Sequence, residues 1–250
     1  MIHSFLLIGQ SNMAGRGFLN EAADIDSSRI KILRNGRWQP MFRPINPDRP
    51  FSGVSLAESF AESYAKQYDT DVGLICCADG GTTLDQWMPG TLLYDNAVSQ
   101  ALLALRTSAI AGILWHQGES DCKPEQYSSY SNRLKNMINS LKKDLNLYDI
   151  PILLGGLGDY LKNCTINNEI INYTYVNDAL QKTADELEMT GFVSAENLTS
   201  NPDNLHFNAK SLYEFGHRYF QIYEKLRNPD KVYIENSNEN NDVRNAMEAL

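Results

Sequence analysis

Two kinds of hydrophobic pattern alternate along the chain. Short, nearly continuous apolar runs fall at Ile2–Ile8, Val72–Ala78, Ile110–Trp115, Ile150–Leu154 and Gly191–Ala195. Each is bounded by turn-forming residues, as expected of parallel strands covered on both faces, which have no polar side to present. Longer stretches with helical spacing lie between them, at Leu56–Tyr68, Tyr94–Leu105, Glu125–Leu145 and about Thr174–Glu188. A last helical pattern runs from about Ala209 to Leu226. This alternation requires crossovers of one hand. It predicts a flavodoxin-like α/β fold, a three-layer α/β/α sandwich around a central five-stranded parallel sheet.

An insertion at about residues 30–50 interrupts the alternation after the first run. Asn35-Gly36, between Ile30–Leu33 and Arg37–Pro40, signals a hairpin. Arg43–Pro50 then carries three prolines, which makes it a fixed loop rather than a linker. No internal repeat or change of composition divides the rest, so residues 1–227 are expected to form one domain. From Asn228 the chain turns polar, and Glu235–Asp242 is expected to be poorly packed.

With 250 residues, of which 42% are hydrophobic and 21% charged, the chain can bury a full core without a disulfide or metal staple. Its net charge of −9 and pI near 4.9 argue against a nucleic-acid or anionic-membrane surface, both of which need a basic footprint. No apolar run reaches the length of a membrane span. The apolar start lacks a basic leader region and reads as a buried strand, so a cytoplasmic location is expected. Cys76, Cys77, Cys122 and Cys164 have no metal-binding spacing and are expected to be free thiols. Neither cofactor nor metal is expected, and nothing in the chain indicates an oligomeric state.

Ligands of open α/β sheets bind beyond the carboxyl ends of the strands. Five polar or Gly-rich clusters occupy those positions here: Gln10-Ser11-Asn12, Asp79-Gly80-Gly81-Thr82-Thr83, His116 to Asp121, Gly155 to Asp159, and Asp203-Asn204-Leu205-His206. Ser11 directly follows a strand, so it is either a turn or cap serine or a nucleophile with its backbone N–H free. It is not the strained elbow of the α/β-hydrolases, because position 13 is methionine where that turn needs glycine. A serine nucleophile needs a base, and the chain has four histidines. His3 begins the first strand at the far end, His217 lies within the last helix, and His116 ends a strand and could face either way. His206 stands in a polar loop three residues after Asp203. That spacing lets a carboxylate take one imidazole nitrogen and leave the other as base. For the oxyanion of acyl transfer, Gly80 and Gly81 offer unobstructed N–H groups and Gln117 a side-chain amide. Gln117 reads equally as a buried amide tying loops together, and Glu119 reads better as a structural anchor.

Together, Gly9-Gln10-Ser11-Asn12-Met13-Ala14-Gly15, Gly80-Gly81-Thr82, Trp115-His116-Gln117-Gly118-Glu119-Ser120-Asp121 and Asp203-Asn204-Leu205-His206-Phe207 resemble the sialate O-acetylesterase/acetylxylan esterase family. This is carbohydrate esterase family six, a branch of the SGNH hydrolases, and the likeness spans about Ile2 to Tyr223. The resemblance implies a metal-free serine esterase that removes acetyl groups from sugars. Ser11 would be nucleophile, His206 base and Asp203 its orienting partner. The Ser11 N–H, a Gly80 or Gly81 N–H, and Gln117 would form the oxyanion hole. Gln117 stands where the wider superfamily has asparagine, and the fourth cluster supplies no histidine or serine. Trp87, Tyr94, Trp115 and Tyr127 could form a platform for sugar faces. Asn12, Arg16 and Glu119 could contact substrate, Arg16 by pairing with a carboxylate. The rival readings are a superfamily esterase for lipid acyl esters or thioesters, and a catalytically inactive sugar-binding module. The intact serine, aspartate and histidine argue against the second.

Overall fold

The structure is a computed structural model that describes residues 1–228. Its strands are β1 (Ile2–Gly9), β2 (Ile30–Arg34), β3 (Arg37–Pro40), β4 (Val72–Cys76), β5 (Ser108–His116), β6 (Ile152–Gly155) and β7 (Thr190–Val193). They form one sheet in the order β3-β2-β4-β1-β5-β6-β7. The five buried runs pair in parallel as β4-β1-β5-β6-β7, with β1 at the centre. The interior of β1, from Ser4 to Gly9, is buried on both faces. That double burial is why its sequence shows no alternation.

The hairpin is not outside the sheet. Its first strand, β2, pairs in parallel with β4 through Ile30↔Val72 and Ile32↔Leu74, and β3 returns antiparallel. The predicted five strands are thereby extended to seven. The cause is a period-two pattern: Ile30 and Ile32 are buried while Lys31 and Leu33 are only half-buried, so β2 covers the edge of β4. The turn has φ +51° at Asn35 and +76° at Gly36, the left-handed pair that the Asn-Gly dipeptide favours.

The helices are α1 (Ser11–Ala14), α2 (Leu56–Tyr68), α3 (Leu92–Ala104), α4 (Pro124–Leu145), α5 (Tyr173–Glu186) and α6 (Ala209–Arg227). One layer pairs α2 with α6, and the other groups α3, α4 and α5. Phe5 of β1 meets Phe60 and Tyr64 of α2 and Tyr223 of α6 edge-on, at 4.8–5.7 Å between ring centroids. A capping box starts α2. Ser55 Oγ accepts from the Ala57 N–H, and Glu58 Oε1 accepts from the Ser55 N–H. The same Ser55 hydroxyl donates to the Met13 carbonyl at 2.7 Å, which fixes α1 against α2.

All four cysteines are free thiols, and burial holds the Cys77 thiol up at about 12. No described helix is long and apolar enough to cross a membrane. The tail stretch Glu235–Asp242 lies outside the described residues.

Candidate active site

β1 ends at Gly9, and the chain turns directly into α1, whose first residue is Ser11. The Gln10 carbonyl accepts from the N–H groups of Met13 and Ala14, which closes the turn and leaves Ser11 at the strand edge. The partner loop comes from the opposite end of the chain, just before α6. There Asp203 Oδ1 accepts from the backbone N–H groups of Leu205 and His206 at 2.9 and 3.0 Å. Its Oδ2 accepts from His206 Nδ1 at 2.7 Å. Nδ1 therefore carries the imidazole proton, Nε2 is an acceptor, and the Ser11 hydroxyl donates to it at 3.0 Å. Partial burial opposes charge on Asp203. The hydrogen bonds from His206 and Leu205 outweigh it and hold the carboxyl at about 2.

The other three histidines lie elsewhere. His3 bonds Tyr64 and His217 bonds Ser63. His116 is fully buried, with Nε2 3.2 Å from the Gly156 carbonyl. Burial drives its pKa down, against the opposing pull of Glu119, so it is a neutral core histidine.

A cavity of about 350 Å³ opens over Ser11 and His206. Gly80 and Gly81 form part of its wall. A Cβ on Gly80 would stand 2.6 Å from Arg16 Nη2 and 3.4 Å from the Ser11 Cβ, so a side chain there would press on the Arg16 guanidinium. The Gly80 N–H donates to Asp48 Oδ2 at 2.9 Å and is already engaged. The N–H groups of Ser11 and Gly81 have no acceptor among the described residues. Arg16 holds Asp48 with two bonds of 2.7 and 3.0 Å, both side chains being buried. Burial opposes charge on Asp48, but Arg16, Ser52 and the Gly80 N–H keep it below the usual carboxylate range.

The structure corrects several sequence expectations. Gln117 does not face the cavity. It is fully buried, its Oε1 accepts from the Tyr130 hydroxyl, and its Nε2 lies 2.6–3.2 Å from Asp121 Oδ2, the Thr82 carbonyl and Gln10 Oε1. With every amide position occupied, it is an anchor between loops and not a free donor. Trp87 and Trp115 are buried edge-to-face at 5.8 Å and present no ring to a ligand. Tyr94 is buried and bonds Asp144, while Tyr127 stacks on Tyr175, away from the cavity. Asn12 is buried as a clamp: its Nδ2 donates to Glu119 Oε1 at 2.6 Å and its Oδ1 accepts from the Phe207 N–H at 3.1 Å. It thus ties α1 to the loop that carries His206. Arg16 and Glu119 do line the cavity.

Sequence reasoning missed Arg49 and Phe51 from the proline-rich loop, and Ile166, Asn167 and Ile170. The prolines signal that the first loop is fixed, but no periodicity marks which of its side chains turn toward Ser11. Near the same edge, Asp79 pairs with Arg49 and Asp85 with Arg133.

A probable carbohydrate esterase of Arabidopsis thaliana is 28% identical over 248 residues, covering 88% of this chain and 89% of that protein. The X-ray structure of the Arabidopsis protein superposes with a TM-score of 0.79, covering 90% of this chain and 98% of that one. NanS shares the fold at 18% identity and a TM-score of 0.73, over 90% of this chain and 97% of its own. A carbohydrate acetylesterase of Xanthomonas citri does so at 17% identity and 0.66, over 90% of this chain and 56% of its own. These structures share the α/β architecture described above, with helices on both faces of a mostly parallel sheet. Residues 1–225 match the family described as carbohydrate esterase, sialic acid-specific acetylesterase, and the chain belongs to that family.

Proposed function

We propose that the protein is a carbohydrate O-acetyl esterase that works through an acetyl-enzyme on Ser11. The observation that carries this reading is the continuous chain Ser11–His206–Asp203, with bonds of 3.0 and 2.7 Å, at the wall of an open cavity. The Ser11 Oγ attacks the acetyl carbonyl and its proton passes to His206 Nε2. The oxyanion that forms is received by the N–H groups of Ser11 and Gly81, which no acceptor among the described residues engages. Collapse breaks the ester bond. The proton on Nε2 goes to the departing sugar oxygen and leaves acetyl-Ser11. Water then attacks the acetyl group as His206 takes its proton, and acetate departs as Ser11 recovers a proton from Nε2. Asp203 stays ionised throughout. It fixes the tautomer and stabilises the imidazolium that forms in each half-reaction. The substrates are acetylated sugars of acetylxylan or sialic acid type.

Acetate release from a panel of acetylated xylan fragments and O-acetylated sialic acids tests the reading. Hydrolysis of one or more by the wild-type protein, and labelling of Ser11 by a serine-directed phosphonate, are the expected results. A rate that climbs with acyl-chain length on simple esters, with no acetate from any sugar, would assign the site to lipid esters instead. Absence of turnover on every ester would leave a sugar-binding module.

A further inference from the structure

The cavity over Ser11 does not end at His206. A second lobe of about 570 Å³ adjoins it, and both lobes are lined by Arg16, Phe51 and His206. Phe51 is 69% exposed and stands between them, with the Arg16 guanidinium carbon 5.3 Å from its ring centroid. The outer lobe adds Phe18 and Leu19, which are 46% and 47% exposed. A bridge between Gly17 and Val54 holds these two beside the Phe51 segment, with Val54 N–H donating to the Gly17 carbonyl at 2.8 Å. Three large apolar side chains left open in one place, next to a reactive serine, are a binding surface rather than a random exposure.

Polar groups accompany them. Asn201 lines the same lobe and is buried, its Nδ2 donating to the Arg16 carbonyl at 2.9 Å. Its Oδ1 has no hydrogen-bond partner among the described residues. Asn20 and the partly exposed Asp203 complete the wall. Apolar rings beside hydroxyl acceptors match a pyranose, which has C–H faces to pack and hydroxyls to donate. Charge narrows the class. Among the described residues, Arg16 is the one arginine or lysine lining this lobe and it is neutralised by Asp48, whereas Asp203 is an anion. An acidic sugar would find no unpaired arginine or lysine there among the described residues.

Resting on the esterase reading above, we propose that this outer lobe is a second sugar subsite. It takes a neutral pyranose unit linked to the acetylated one, so that the preferred substrate is an oligosaccharide or polymer rather than a free acetylated monosaccharide.

The test is steady-state kinetics on matched pairs: acetylated methyl xyloside against acetylated xylotetraose, and acetylated methyl glucoside and mannoside against acetylated glucomannan fragments. With the Phe18 ring and the Leu19 side chain packed against the second sugar, kcat/KM should favour the longer member of at least one pair by about tenfold. The Phe18→Ala, Leu19→Ala double variant should bring that ratio close to one. A merely structural defect would lower both members alike and leave the ratio in place. Equal kcat/KM within every pair, or a ratio untouched by the double variant, would overturn the subsite while leaving the esterase reading intact. Hydrolysis of 4-nitrophenyl acetate without release from any sugar ester would overturn both.

Discussion

Two polar clusters sit at the same edge of the same sheet and have opposite characters. Around Ser11 the bonds run in a line: hydroxyl to imidazole to carboxylate, with one end open to a cavity. Around Gln117 they close on themselves. Its amide is tied to Gln10, Thr82, Asp121 and Tyr130, and Asp121 also accepts from the Leu84 N–H and faces Arg133. Burial raises the Asp121 pKa, and the bonds from Gln117, Leu84 and Arg133 oppose that rise without cancelling it. A polar residue after a strand is therefore not in itself a reactive one. What separates the clusters is whether a donor or acceptor remains unmatched where a substrate can reach it. A closed network makes the protein rigid, and an open one can do chemistry.

The sharpest way to separate the two is to remove the reactive atoms. Ser11→Ala and His206→Ala should each lower kcat by about 10⁴–10⁶-fold, and their double variant should be scarcely worse, because the pair acts as a unit. Thermal melting should stay near that of the wild type. Residual turnover of a few per cent in a clean preparation would break the assignment.

Asp203→Asn should be next in size, with a fall in kcat of up to about 10⁴-fold through loss of the tautomer. A smaller drop is expected if the Asp203–His206 turn restrains the ring by itself, since both backbone bonds of that turn reach Oδ1. The measurement is kcat for the variant beside that of His206→Ala, which should be at least as damaging.

Gln117→Ala probes the closed cluster. It should cost about 1–3 kcal/mol of stability by stripping partners from buried groups, seen as a lower denaturant midpoint. Activity should follow the loss of folded protein. A fall in kcat of about 10²-fold with unchanged stability would instead restore Gln117 as an oxyanion donor.

The pH dependence sharpens the contrast further. Asp203 is held at about 2 in the folded chain, against 3.8 ordinarily. A carboxyl depressed on folding contributes stability above its unfolded value and loses it as pH falls through the folded one. The stability gap between wild type and Asp203→Asn should therefore hold from pH 7 to about 4 and shrink toward pH 2. Asp203 should likewise give no limb to the rate profile above pH 4. The smallest expected effect is that of EDTA, which should leave the rate unchanged. Loss of activity restored only by a divalent ion would contradict the metal-free mechanism.

The strand and helix pattern is legible in the sequence because each buried element carries its own period. The helix at Leu56–Tyr68 follows from that period to the residue and α3 to α6 to within two, whereas the single turn α1 is too short to show a period. The pairing of Asp203 with His206 is legible too, because three residues of separation constrain it locally. The contents of the cavity are not. Trp115 and His116 end a strand covered on both faces, so alternation cannot show that both are sealed beneath neighbouring loops. Arg49 and Phe51 belong to a loop whose course depends on the Arg16–Asp48 pair, a contact between residues 32 positions apart. Gln117 misleads for the same reason: its three Nε2 contacts come from segments 4, 35 and 107 positions away.

The bond between Ser11 and His206 joins residues 195 positions apart, and Asn12 fastens Glu119 and Phe207 across gaps of 107 and 195. On the proposed mechanism the nucleophile leaves the ribosome long before its base exists, by roughly 10–40 s at ordinary elongation rates. Through that interval Ser11 is an ordinary alcohol, because the imidazole 195 positions further along has not yet been made. The contact between them can close only after the loop before α6 has been made. The nascent chain is therefore chemically silent, and the appearance of esterase activity becomes a clock for the completion of the fold.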